Sequence, residues 1–312
     1  MGPSCHRCYE VSHVGHPVPL ARRTAGTLAL SQCLYFCAIA IGLTLTGIVG
    51  SDLAPRASLA TLPFALLTLT SAATTVPLSL LMGRIGRRPV FMLGSFAAII
   101  GGILAAAAIF QRDFTLFCLG NALLGLFQAS SQYYRYAATD AVPDPAGKAR
   151  ALSWVMIGGL VAAFLGPQIA AFSRDFWALV PFAGAYGAIA GLGALAVMVL
   201  ATLPLQPVSQ TASGDTRPLA VLAGQPMFLL GLLCTALAFA VMTFVMTATP
   251  LAVIACGFSV DASAGVIQAH LVGMFAPAFF YGKADRALRR RANGERGPGA
   301  VSAQRGGGAD GA

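Results

Sequence analysis

The chain has 312 residues, of which 57% are hydrophobic and only 10% charged, with a formal net charge of +9 and a mean hydropathy of +0.75. A soluble domain carries about 25% charged residues, so 20 basic and 11 acidic side chains exclude an ordinary water-soluble globule. The apolar content excludes an intrinsically disordered chain, which leaves a polytopic membrane protein.

A helix crossing about 30 Å of hydrocarbon needs about 20 mostly apolar residues. After an N-terminal segment, 1–25, eight stretches meet that requirement: 26–50, 60–82, 89–110, 114–134, 152–172, 177–203, 227–254 and 264–281. These runs are continuous and do not alternate, so helices are expected and a β-barrel is not. The fold class is therefore all-α, a six-helix bundle over 26–203 followed by two further helices over 227–282. Between them lies a linker, 204–226, rich in Pro, Ser, Thr and Gly. A basic tail over 283–312, dominated by Ala, Arg and Gly, has nothing apolar enough to span or pack. It reads either as a solvated, disordered tail or as DNA translated out of its coding frame.

Charge sets the orientation. With the N-terminus cytoplasmic, the inside segments hold Arg7, Arg22, Arg23, Arg84, Arg87, Arg88, Arg135, Lys148, Arg150, Arg217 and the basic tail. The outside loops hold only Arg56, Arg112 and Arg174. That asymmetry predicts both termini in the cytoplasm, in a cell inner or plasma membrane. The positive charge faces anionic lipid headgroups, and no nucleic-acid partner is expected. The first span lacks a cleavage site and reads as an uncleaved anchor. Cys5, His6, Cys8, His13 and His16 make a weak metal tract that a disordered terminus explains as well. No disulfide framework, metal site, cofactor or ATP-binding glycine loop is expected. No cluster of His, Asp, Glu or Cys suggests a membrane enzyme.

The most informative motif is Ser79–Pro89, "SLLMGRIGRRP", a tight turn between the second and third spans. Gly86 permits a sharp reversal, and arginines there can bond helix C-terminal carbonyls or a carboxylate on a neighbouring helix. This stretch resembles the loop signature G-x-x-x-D-R-x-G-R-R of the major facilitator superfamily of secondary transporters. Arg84, Gly86, Arg87 and Arg88 match it, while Ser79 and Gly83 replace the usual Gly and Asp. In that family the loop helps latch two bundles. With the aspartate replaced, Arg84 is expected to pair instead with Asp140. Lys148-Ala149-Arg150-Ala151 resembles the family's fourth-to-fifth-span loop. Gly166 and Pro167 resemble the fifth-span kink of proton-linked exporters, and a plain packing kink explains them equally.

The resemblance covers about 26–282 and implies a fold of twelve spans in two six-helix halves, of which eight are read here. It implies alternating-access transport of a small organic solute, with an inactive, truncated or frame-shifted remnant as the alternative. "YGKADRALRRR", from Tyr281, is a basic echo of the loop signature without its glycine. Asn121 stands where proton-coupled members place an arginine, and no charged residue lies deep in a span, so proton coupling stays open.

Neutral polar stripes remain as cavity candidates. Gln32, Tyr35, Gly42 and Thr46 share a face of the first span, and Asn121, Gly125, Gln128 and Gln132 share one in the fourth. Thr68, Ser71 and Thr75 line up in the second. His270 can titrate near neutral pH, and Met242, Thr243, Met246 and Thr247 offer soft contacts. Interhelical hydrogen bonding explains such stripes as well as a cavity does. Gly187 and Gly191 are expected to form a close-packing face of the sixth span.

Overall fold

A computed structural model describes residues 18–142, 144–177, 180–204, 221 and 224–276. The expected N-terminal metal tract, most of the linker and the basic tail with its echo motif lie outside the described residues.

Every regular element described is helical. Helix α1 is Val18–Leu53, and its 36 residues extend about 54 Å at 1.5 Å per residue, well beyond a bilayer core. It therefore starts before the apolar run and carries Arg22 and Arg23 out of the hydrocarbon. After a short 3₁₀ turn, Ala57–Leu59, come α2 (Leu62–Ile85), α3 (Arg87–Gln111), α4 (Phe114–Ser131) and its extension α5 (Tyr134–Asp140). Then follow α6 (Pro145–Arg174), α7 (Ala183–Ala201), α8 (Pro226–Ala255) and α9 (Val260–Phe275).

Local chemistry sets the ends. Asp113 caps α4 by accepting from Thr115 N at 2.8 Å and Leu116 N at 3.1 Å, and Asp144 caps α6 through Gly147 N at 2.6 Å. The sixth span opens at Ala183, not at 177. Phe176 and Trp177 are apolar but lie in the preceding turn, where Trp177 stacks edge-on against Phe110 with ring centroids 5.4 Å apart. Aromatic rings of this kind suit a membrane–water interface.

Helix α1 packs chiefly on α6 and also on α7, while α4 packs on α3 and α2, and α3 on α7. The last two helices lean on this six-span unit, α9 against α6 and α8 against α1. Small residues make the close contacts, because lipid tails supply no hydrophobic drive between helices and backbone proximity must do so. A Cβ on Gly158 would lie 2.1 Å from the Ala29 carbonyl oxygen of α1, and one on Gly125 would lie 2.4 Å from the Leu67 carbonyl oxygen of α2. In α7 the glycines in close contact are Gly184, against the Ser173 carbonyl oxygen, and Gly193, against α3. The expectation for Gly187 and Gly191 is corrected: Gly191 faces open space and Gly187 meets only the Trp177 ring. Their spacing fits a packing face, but α3 lies on the other side of the helix.

The outer faces are apolar. Leu69, Leu80, Phe96, Ile103, Leu233 and Phe244 are all exposed, which suits contact with lipid and not with water. The described carboxylates, Asp52, Asp113, Asp140, Asp144, Asp175 and Asp261, are exposed at helix ends or turns.

Candidate functional site

The first-span candidates point inward. Tyr35 is buried, and its ring meets Phe127 of α4 edge-on at 5.4 Å and the adjoining Phe36 at 5.0 Å. Phe36 in turn meets Phe275 of α9 at 4.7 Å, also edge-on. Four aromatic rings thus run without a break from α4 through α1 to α9, joining the six-span unit to the final helix. Edge-to-face geometry is the favoured arrangement for such pairs.

Two buried polar groups are orphaned, and one of them, Gln32, sits beside this chain. Gln32 lies one helical turn before Tyr35 and Phe36, is 1% exposed, and its Oε1 has no hydrogen-bond partner. Asn121 is fully buried; its Nδ2 donates to the Phe117 carbonyl at 2.9 Å, while its Oδ1 has no partner. Leaving a buried acceptor unpaired costs about 1–3 kcal/mol, so each oxygen calls for a water, a ligand or a second conformation that satisfies it.

The other candidates divide. Gln128 is half-buried next to Phe127, and Gln132 is half-buried with its Oε1 accepting from Arg135 Nη2 at 2.8 Å. Thr46 is tied to the Tyr186 hydroxyl of α7 at 2.9 Å, and Gly125 seats α4 on α2. These two serve packing. The second-span hydroxyls also look inward to their own helix, Thr68 donating to the Phe64 carbonyl and Thr75 to the Ser71 carbonyl. Met246 is buried with Ile267 and Leu271 of α9 and Ala40 of α1, so the seventh-span pair of methionines packs α8 onto its neighbours. His270 is half-buried on α9. Pro167 is buried within an unbroken α6, and Gly166 approaches α1 closely, a Cβ there lying 2.6 Å from Ala40 Cβ.

At the arginine-rich turn the pairing differs from expectation. Asp140, at the end of α5, forms its ion pair with Arg87, not with Arg84. The cause is Gly86, whose φ of +89° and ψ of 168° reverse the chain between α2 and α3. That reversal leaves Arg84 exposed on the last turn of α2 and puts Arg87 at the start of α3, facing α5. Arg88 Nη2 donates to the Ala201 carbonyl at the end of α7, at 2.6 Å. The turn therefore ties α3 to both α5 and α7 through a carboxylate and a helix C-terminus, which a cation favours. A Cβ on Gly86 would touch nothing, so Gly86→Ala is expected to cost only the backbone term, about 1–3 kcal/mol. A lowered thermal midpoint of the purified protein checks this, and an unchanged midpoint contradicts it.

The apolar helices, the uncharged interior among the described residues and the helix-to-helix glycine contacts define a polytopic α-helical membrane protein. A family model described as Major Facilitator Superfamily matches residues 28–294, and the chain belongs to that superfamily of transporters. Over 266 residues it is 43% identical to the riboflavin transporter RfnT of Brucella anthropi, an alignment covering 84% of this chain and 67% of that relative. It is 28% identical over 283 residues to the uncharacterized MFS-type transporter YdeG of Bacillus subtilis, covering 84% of this chain and 64% of the relative. A second Bacillus subtilis protein, the uncharacterized MFS-type transporter YddS, is 24% identical over 279 residues, covering 83% and 63%. The chain spans about two thirds of the length of the curated relatives it matches.

Proposed function

We propose that the protein is a secondary transporter of a flat, uncharged heteroaromatic solute of the riboflavin class, working by alternating access. In this reading it lies in the plasma membrane with both termini cytoplasmic, and it is not an enzyme. The observation that carries the proposal is the ring chain Phe127–Tyr35–Phe36–Phe275 with the unpartnered Gln32 oxygen one turn away. A flavin presents a planar aromatic body and an imide N–H. The rings, buried against one another here, would offer faces for the first once the helices part, and the Gln32 amide would then offer an acceptor for the second. Asn121, Gln128 and Gln132 extend the polar side along the fourth span for the hydroxylated tail. The 43% identity to a riboflavin transporter supports this choice of solute over other small organic molecules. The uncharged described interior suits a neutral solute.

Riboflavin fluorescence tests the site directly. Titrating the purified 312-residue protein into riboflavin is expected to quench the flavin saturably, as aromatic stacking does. Gln32→Leu is expected to weaken that binding by about tenfold, the worth of one buried hydrogen bond. The same substitution removes an unpaired polar atom, so the thermal midpoint is expected to hold or rise. A lowered midpoint with unchanged riboflavin affinity would assign Gln32 to packing alone.

A further inference from the structure

At the end of the molecule opposite the Gly86 turn, α6 finishes in Arg174 and α9 begins at Val260. Arg174 Nη1 donates to Asp261 Oδ1 at 2.9 Å, while its Nε donates to Asp175 Oδ2 at 3.0 Å. Among the described residues, Arg174–Asp261 is the ion pair that joins the six-span unit to the last two helices; the other pairs lie within the first unit. The Arg174 side chain is 21% exposed and that of Asp261 62%, so the arginine is partly shielded while the carboxylate stays open to water. Beneath it a small cleft opens between α1, α6 and α9, lined by Thr44, Ala171 and Ala264. Next to Ala264, the Ser263 hydroxyl is fully buried without a partner.

We infer that Arg174 is a shared clasp that holds this end shut and releases it at low cost. The inference rests on the alternating-access reading. The physical basis is that both charges keep compensation when the pair separates. Arg174 retains Asp175, its own neighbour. Asp261 sits in the first turn of α9, where the helix N-terminus favours a carboxylate. An interhelix pair lacking such alternatives would leave a desolvated charge behind and would resist opening. Separation of α6 from α9 would expose the cleft and the Ser263 hydroxyl to whatever solute enters there.

The test is thiol accessibility in the full chain, with native cysteines replaced by serine and Ala264→Cys as the reporter, reconstituted in nanodiscs so that both faces are reachable. Adding Asp261→Asn is expected to speed maleimide labelling about two- to fivefold, the size of an ion pair of this exposure. Asp175→Asn is expected to leave labelling at or below the parental rate, because Arg174 then has Asp261 as its one carboxylate. Asp261→Glu is expected to restore the parental rate. Parental labelling in Asp261→Asn, or equal acceleration by Asp175→Asn, would overturn the clasp. Labelling does not depend on flux, so this pattern without riboflavin binding would sink the substrate reading alone. Riboflavin movement without the pattern would sink the clasp alone.

Discussion

Gly158→Leu is expected to leave little folded protein in the membrane. Gly158 is where α6 meets α1, and a Cβ there would fall 2.1 Å from the Ala29 carbonyl oxygen and 3.3 Å from the Cys33 nitrogen. Both obstacles are backbone, so no rotamer change relieves the overlap. Overpacking a well-packed core ordinarily costs about 1–3 kcal/mol, and here the two helices must part instead. The loss propagates, because α1 also carries contacts to α7, α4 and α8. Size-exclusion chromatography of a fluorescent fusion would show loss of the monodisperse peak. Gly191→Leu is the control: a Cβ there meets nothing within 4 Å, so its peak is expected to match the parent. Equal behaviour of the two variants would refute the α1–α6 packing.

Tyr35 carries the second large effect. Its side chain is 3% exposed and touches rings on either side, one from α4 and one from its own helix. Tyr35→Ala is expected to cost about 3–5 kcal/mol, as other buried aromatic truncations do, and to abolish riboflavin quenching. Tyr35→Phe keeps both edge-to-face contacts, so its thermal midpoint is expected to stay near the parental value. The pair of variants separates the ring from the hydroxyl. If Tyr35→Phe lowers riboflavin affinity while keeping stability, the hydroxyl faces the solute; if it changes neither, the ring alone serves. Retained quenching in Tyr35→Ala would remove Tyr35 from the site.

Seven of the eight expected spans were readable from hydropathy because a bilayer imposes one length scale on every crossing, while Val260–Phe275 is shorter than that within the described residues. Their ends were less so. The extra turns of α1 before residue 26 contain Arg22 and Arg23, which lower the hydropathy of a segment that stays helical outside the hydrocarbon. Phe176 and Trp177 err the other way, since apolar rings at an interface raise hydropathy without extending a helix. Partners were least accessible. The spacing of Gly184, Gly187, Gly191 and Gly193 supports more than one packing face, and only the position of α3 and of the Ser173 carbonyl selects among them. Arg84 was the expected mate of Asp140, and only the backbone at Gly86 shows that Arg87 faces α5 instead. The Phe36–Phe275 contact joins positions far apart in the chain, and no local periodicity reports it. Gln32, Tyr35 and Asn121 were visible as polar breaks in apolar helices, but the orphaned oxygens emerge only once the neighbours are in place.

The central claim is that this chain moves a riboflavin-class solute through a site built on α1. Uptake of radiolabelled riboflavin into proteoliposomes holding the purified 312-residue protein addresses it most directly. Saturable accumulation above that of protein-free liposomes, reduced in the stably folded Gln32→Leu variant, is the predicted result. Riboflavin entry indistinguishable from protein-free liposomes, by protein that remains folded and monodisperse, would contradict it.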